Sequence, residues 1–187
     1  TRFRLQIALS GEGPENAELL KDVDEMQHML EDYLSFARGD QGETPKHTNL
    51  APMLKEICET AGQNGAKVKF AKKGKINHTV RARALKRCIG NLVNNAINYA
   101  ENVHVHAARD DHTLKIIVDD DGTGIPEDKR EDAFKPFHRL DDARNLDISG
   151  TGLGLAIARD IARSHGGDIT LADSPSGGLR AILEIPV

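Results

Sequence analysis

Asn91 and Asn95 stand four residues apart in the stretch 82–99, so on a helix both side-chain amides project from one face. Asn94 and Asn98 share that stretch. Asparagine competes with the helical backbone for hydrogen bonds, so four of them within one helix require a reason. An amide oxygen suits Mg2+, a hard cation that takes oxygen donors and completes its shell with substrate phosphates. Surface or capping asparagines are the plain alternative. A second cluster is the run Val118–Pro126 (VDDDGTGIP), which reads as a strand entering a glycine turn. Here Asp120 offers an acceptor for a purine amino group, while Gly122 and Gly124 leave room for a flat ring against the backbone. An ordinary acidic turn or a calcium loop is the competing reading, although the other ligands of an EF-hand are missing. The third cluster, Gly150–Leu155 (GTGLGL), precedes a helix predicted from about Leu153. Backbone N–H groups at such a helix start bind phosphate oxygens, and glycines let the chain approach. Neither a GxxxxGK[ST] loop nor a GxGxxG fingerprint is present, so P-loop and dinucleotide-binding chemistry are excluded.

The elements that must position these residues follow from hydrophobic spacing. The helix 82–99 presents Leu85, Cys88, Ile89, Leu92, Val93, Ala96 and Ile97 on one broad face. Another helix is predicted over 50–64 through Leu50, Leu54, Ile57, Cys58 and Ala61. Strands are expected at 67–71, 76–80, 103–109, 113–119, 168–172 and 179–185, with a helix at 153–165 and a long irregular segment between the glycine turn and Gly150. Short turns join several strands, which favours an α+β fold, a two-layer α/β sandwich, over a doubly wound parallel sheet. Upstream, Leu19, Val23, Met26, Leu30, Tyr33 or Leu34, and Ala37 draw one apolar stripe down a predicted helix 15–38, about 36 Å long. Before it, Phe3, Leu5, Ile7 and Leu9 alternate as a strand would; the segment is taken as helical because a long one-sided helix needs a partner. The stretch 39–49 (GDQGETPKHTN) has linker composition, so two units are expected: a partial helical hairpin at 1–40 and a domain at 49–187.

Composition narrows the function classes. Of 187 residues, 39% are hydrophobic and 29% charged, enough to bury a core and too apolar for a disordered chain. With 25 basic and 29 acidic residues interspersed, there is no basic stripe to neutralise a nucleic-acid backbone. Aromatics at 4%, with no Trp, leave few platforms for stacking bases. Nucleic acid is therefore not an expected partner. Cys58 and Cys88 form neither metal-ligand spacing nor a disulfide framework, which suits a reducing, cytoplasmic setting. No stretch reaches the roughly 18 apolar residues of a membrane span. The chain begins at Thr1 within a patterned segment and reads as a fragment.

In order and spacing, these clusters resemble the catalytic ATP-binding region of bacterial two-component sensor histidine kinases, within the GHKL ATPase superfamily. The N box corresponds to Asn91–Tyr99 (NLVNNAINY), the G1 box to Asp120–Gly124 (DDGTG), the F box to Phe134–Phe137 (FKPF) and the G2 box to Gly150–Leu155. The likeness runs from about Asn49 to Val187, and the preceding helix is similar to the second helix of a dimerisation and phosphotransfer hairpin. The resemblance implies that Asn95 with Asn91 binds Mg2+, that Asp120 receives the adenine amino group, and that Tyr99 packs at the nucleotide. ATP would also be held by Gly122, Gly124, Ile125, Gly150, Thr151, Gly152, Leu153, Gly154 and Leu155, with 125–149 as a mobile lid. Arg139 matches an arginine that reaches the γ-phosphate, its plain alternative being a solvated loop residue. Phe134 and Phe137 would anchor the lid.

Two departures from the family pattern carry consequences. Asn98 stands where a basic residue is usual, which removes one cationic contact to the phosphates. The phosphoacceptor motif, a His followed by an acidic residue and then Arg-x-Pro, is absent, so this chain should bind ATP without phosphorylating itself. His28 is followed by Met-Leu-Glu; His104 and His106 share one face of what reads as an exposed edge strand and lack a third ligand; His165 fits a helix C-terminus, where the dipole favours a cation. The resemblance further implies a homodimeric four-helix bundle, docking to a response regulator receiver domain, and an upstream sensor with a membrane anchor. Two rival functions remain: an ATP hydrolase, whose relatives carry Glu at the Asn91 position, and a non-catalytic scaffold with a decayed pocket.

Overall fold

The computed structural model describes residues 42–63, 65–138 and 152–187, with Leu19, Val23 and Met26 as isolated positions. Those three are helical, as their spacing predicts, and the rest of the expected hairpin lies outside the described residues. The first strand, β1 (Lys46–Asn49), pairs antiparallel with β3 (Asn77–Val80). Residues 46–49 are therefore strand and not linker; they show no alternation because the pair is short and three of its four β1 residues are exposed. Helix α1 (Leu50–Gly62) starts on Asn49, whose Oδ1 accepts the Ala51 N–H at 3.2 Å, and buries Leu50, Leu54, Ile57, Cys58 and Ala61 as expected. Helix α2 (Ala82–Tyr99) and helix α3 (Gly154–Ser164) complete the helical layer.

Against that layer lies a five-stranded sheet built from β2 (Lys67–Lys73), β4 (Asn102–Arg109), β5 (Thr113–Asp120), β6 (Asp168–Asp173) and β7 (Leu179–Pro186), in the order β2-β4-β5-β7-β6. The β2–β4 pair is parallel and the other three pairs are antiparallel. This is the predicted α+β two-layer sandwich. Alternation turns Val103, Val105, Leu114, Ile116, Val118, Leu183 and Ile185 toward the helices, where they meet Leu54, Leu85, Ile89, Leu92, Ile157 and Ile161 in one core. Truncating one of these fully buried Leu or Ile side chains to Ala costs about 2–5 kcal/mol.

Two readings change. The strand carrying His104 and His106 is interior to the sheet, between β2 and β5, and not an edge; the rings stack on its outer face with centroids 6.4 Å apart. Sequence cannot rank strands within a sheet, which is why the position was misread. His165 does cap α3: its Nε2 accepts the Arg81 N–H at 3.2 Å, and its Nδ1 lies 2.8 Å from the Ile161 carbonyl oxygen. In the segment expected to be irregular, short 3-10 turns occupy Glu127–Lys129 and Asp132–Phe134. Burial pushes the Cys58 thiol up to about 11 and the Cys88 thiol up to about 12, and Cys88 donates to the Ala158 carbonyl between α2 and α3. Both are packing residues. No helix among the described residues is long and apolar enough to cross a membrane.

Candidate active site

Two aspartates end β5 and a third follows it, and the structure gives each a different task. Strand alternation sends Asp119 to the outer face, where its carboxylate takes a two-pronged contact from Arg180 at 2.7 and 2.9 Å. Asp121 holds the turn after α2 by accepting the N–H groups of Glu101 and Asn102 and the Asn102 side-chain amide. Asp120 alone points inward. Its Oδ1 accepts two backbone N–H groups, from Gly122 and from Leu179, each at 2.9 Å, which fixes the carboxylate and leaves Oδ2 for a different donor. The side chain is buried, and that burial raises its pKa above the ordinary aspartate value. The two N–H groups pull the other way, and the neighbouring Asp121 and Asp119 charges add to the rise.

Glycines make this arrangement possible at two places. A Cβ on Gly122 would stand 2.5 Å from the Tyr99 carbonyl oxygen, so the turn after β5 can lie on the end of α2 only without a side chain. A Cβ on Gly178 would run into Asp120 Oδ1 and the Gly122 nitrogen. Gly178, in the β6–β7 turn, is thus part of the Asp120 cradle, and the reading of the sequence did not single it out. The paired glycines Gly177-Gly178 just before a strand were the available signal, since such pairs mark turns or close backbone approach.

The amides lie on the same helix. Asn91 is half-buried with its Nδ2 shielded from solvent and without a hydrogen-bond partner among the described residues, and Asn95 lies half-buried one turn further along. The start of α3 is beside them, with the Gly154 Cβ direction 4.0 Å from the Asn91 Cβ. Leu153 offers no side-chain cap, so the first-turn N–H groups of α3 have no side-chain acceptor from the N-cap residue. Among the described residues no cluster of three or more His, Cys, Asp or Glu could hold a metal. A cation here would depend on the amide oxygens and on ligand phosphates, which is the donor set Mg2+ accepts.

The segment leading away from the G1 turn is tied down as far as it is described. Arg130 donates from Nε to the Ile125 carbonyl at 3.1 Å and pairs with Asp173 at the end of β6. Arg159, from α3, lies 4.2 Å over the Phe134 ring and reaches Glu131 at 2.7 Å and Asp168 at 2.9 Å. Phe134 is buried, whereas Phe137 is exposed, adopts a φ of 63° and donates its N–H to the Gly152 carbonyl at 3.0 Å. The F box therefore contacts the G2 box directly. Residues 125–137 make these contacts, and the rest of the expected lid, from 139 to 149, lies outside the described residues. Sequence reading missed Arg130 and Arg159 because their partners lie 43 and 28 or 9 positions away.

Of the expected site residues, Asn91 borders Gly154, and Tyr99 borders Gly122, whose N–H Asp120 accepts; Asn95 lies on α2, Gly124 and Ile125 follow β5, and Gly152, Leu153 and Leu155 lie at the start of α3. Arg139, Gly150 and Thr151 lie outside the described residues.

Known proteins resemble this chain in sequence and in fold. The profile of the family described as histidine kinase-, DNA gyrase B-, and HSP90-like ATPase matches residues 80–187. The sensor histidine kinase GtrS of Pseudomonas aeruginosa is 34% identical over 187 residues, covering 100% of this chain and 38% of the relative. The sensor histidine kinase CpxA of Escherichia coli is 34% identical over 200 residues, covering 100% of this chain and 44% of the relative. The chain thus spans about two fifths of the length of these curated relatives. In fold, it is similar to the ATP binding domain of PrrB from Mycobacterium tuberculosis, with a TM-score of 0.65 at 24% identity over 76% of this chain and 97% of that one.

Proposed function

The chain belongs to the histidine kinase-, DNA gyrase B- and HSP90-like ATPases, and from that premise we propose that it is the nucleotide-binding catalytic region of a sensor histidine kinase. It holds ATP between α2, the turn after β5 and the start of α3, and passes the γ-phosphate to a histidine on an upstream hairpin helix. What carries this reading is the inward carboxylate of Asp120, oriented by two backbone N–H groups with one oxygen left over. That oxygen accepts the adenine amino group. Gly122 and Gly124 let the ring lie on the turn, and Tyr99 borders it from the end of α2.

The phosphates lie toward α3, where Gly152 to Leu155 present backbone N–H groups and the helix dipole favours negative charge. Asn91 and Asn95 would hold Mg2+ by their amide oxygens, and the buried Asn91 Nδ2, which has no partner among the described residues, is left to donate to an acceptor such as a phosphate oxygen. When bound, Mg2+ neutralises phosphate charge and aligns the terminal phosphoryl group. Arg139 would supply a cation for the γ-phosphate. Phosphoryl transfer needs this positioning more than it needs covalent chemistry from the protein. The attacking group is the neutral imidazole of a histidine that this sequence lacks. In the whole protein the hairpin pairs with a second copy, the phosphoryl group moves on to an aspartate of a response regulator, and upstream segments anchor the assembly in the membrane.

Hydrolysis is the rival reaction, and Asn91 speaks against it. A carboxylate at that position could activate water; an amide cannot take a proton at neutral pH. The deciding experiment supplies an upstream hairpin segment containing its histidine together with γ-labelled ATP and Mg2+. Label on the hairpin supports the kinase, free phosphate supports the hydrolase, and neither product supports a non-catalytic scaffold.

A further inference from the structure

Helix α2 begins badly on its own sequence. Its N-cap, Arg81, makes no side-chain capping bond, and its first turn contains no acidic residue. Arg81, Arg83, Lys86 and Arg87 instead crowd cations at the end where the helix dipole is positive. The missing anion comes from 40 positions upstream. Glu43 Oε1 accepts the Arg83 N–H at 3.0 Å and Oε2 accepts the Ala84 N–H at 3.2 Å. The Arg83 side chain adds a 3.8 Å ion pair. Glu43 is only 17% exposed, although it lies in a stretch whose composition reads as linker. Burial works to raise its pKa, but the two N–H groups and the charges of Arg83 and Arg81 outweigh that and hold it below the usual glutamate value.

The same helix end is joined to the far end of α3. Arg81 donates its backbone N–H to His165, and its guanidinium reaches the Ser164 carbonyl and hydroxyl. From Arg83, α2 runs as a rigid rod for about 12 Å to Asn91 and about 18 Å to Asn95. One carboxylate therefore joins the segment that enters the domain to the helix that carries the candidate nucleotide ligands.

We propose that Glu43 is a positioning residue: by capping α2 from the entering segment, it makes nucleotide affinity depend on whether that segment is seated on the domain. The inference rests on the ATP reading of the site and goes beyond it by assigning a residue outside the pocket. Coupling of this kind is reciprocal, so ATP must in turn hold Glu43 on the helix more tightly.

The test uses the whole 187-residue chain. ATP affinity is measured by calorimetry in Mg2+ for the unaltered protein and for Glu43→Ala, Glu43→Gln and Glu59→Ala. The last removes a carboxylate from an exposed pair with Lys55 on α1 and serves as control. Hydrogen exchange at the Arg83 and Ala84 amides is followed with and without ATP. Glu43→Ala is expected to weaken ATP binding about 3- to 10-fold, below or at the low end of common coupling factors. Glu43→Gln should fall between, and Glu59→Ala should match the unaltered chain. ATP should slow exchange at both amides in the unaltered chain and not in Glu43→Ala. If Glu43→Ala binds ATP normally, or if ATP leaves the two amides unchanged in the unaltered chain, Glu43 is an ordinary helix cap and the proposal is wrong. The exchange measurement needs no variant, so a poorly folding substitution does not protect the idea. Failure of the unaltered chain to bind ATP overturns the nucleotide reading itself, and this inference with it.

Discussion

Replacing Asp120 with Asn separates what this side chain does for the fold from what it does for a ligand. In the protein, Oδ1 receives the Gly122 and Leu179 N–H groups. An asparagine must turn its own oxygen to that place, because the reversed amide would set an NH2 group against two N–H donors. Its nitrogen then occupies the Oδ2 position. The fold keeps both backbone hydrogen bonds. Since Asp120 has a raised pKa, the folded state holds its proton more firmly than the unfolded chain does. That contribution favours the fold at pH below the unfolded value and disappears as pH rises through the folded one, so at neutral pH the ionised carboxylate is a net cost. Urea unfolding at pH 7 should find Asp120→Asn as stable as the unaltered protein or more so.

Adenine binding should respond in the opposite way. An amino group that met a carboxylate oxygen now meets a second donor. Loss of a hydrogen bond to a charged group costs about 1.5–3 kcal/mol, and a donor left unpaired costs about 1–3 kcal/mol more. A combined loss of about 2.5 kcal/mol or more is at least about 70-fold in Kd. There is a second signature. Affinity of the unaltered chain should weaken as acid protonates Asp120, beginning at a higher pH than an ordinary aspartate would show, while the Asn variant has no such step. A properly folded Asp120→Asn that binds ATP within threefold of the unaltered chain would refute the assignment of this carboxylate to the purine.

Other consequences are open to direct measurement. Gly178→Ala places a methyl against Asp120 Oδ1 and the Gly122 nitrogen, so it should destabilise by about 2–3 kcal/mol and lower the Tm by about 4–12 °C in a scanning experiment. Arg159→Met keeps the hydrophobic stem and removes the cation over Phe134 and the contacts to Glu131 and Asp168. Because Glu131 is largely exposed, the loss should be about 1–2 kcal/mol in urea unfolding. Arg159 lowers the pKa of Glu131, and for Asp168 it works with the Ile169 N–H and Arg163 to outweigh a burial effect in the raising direction. With both folded values depressed, their stabilisation is complete above the unfolded carboxylate range and is lost as pH falls below about 5, so the unaltered protein should lose more stability on acidification than Arg159→Met. Asn95→Ala should make ATP affinity indifferent to Mg2+, as read by calorimetry with and without chelator.

Much of this architecture was legible because it is written locally. The apolar face of α2 follows from seven residues at helical spacing, and the α+β class follows from short turns between strands. The three motif clusters could be found because each is contiguous in the chain. What connects them could not be seen in the same way. Leu179 meets Asp120 across 59 positions, Arg180 meets Asp119 across 61, and Glu43 meets Arg83 across 40. None of these pairs leaves a periodic trace, and strand order, which misplaced the His104 and His106 strand, is equally non-local.

The DDD run makes the point physically. As a sequence it is three like charges in a row, an unfavourable choice unless each has its own partner. Strand alternation separates the first two onto opposite faces, and the turn redirects the third. Arg180 then neutralises Asp119, and the start of β4 engages Asp121. Asp120 and Asp121 both have neutral N–H donors in place of a cation, but only Asp120 of these two is buried: burial moves its pKa upward, while the hydrogen bonds from Asn102 and Glu101 move that of Asp121 down. A buried carboxylate held by neutral N–H groups retains its charge for another donor, whereas an arginine partner would have consumed it. Its burial, together with an Oδ2 that no described residue engages, is thus what suits Asp120, of the three, to the proposed purine contact.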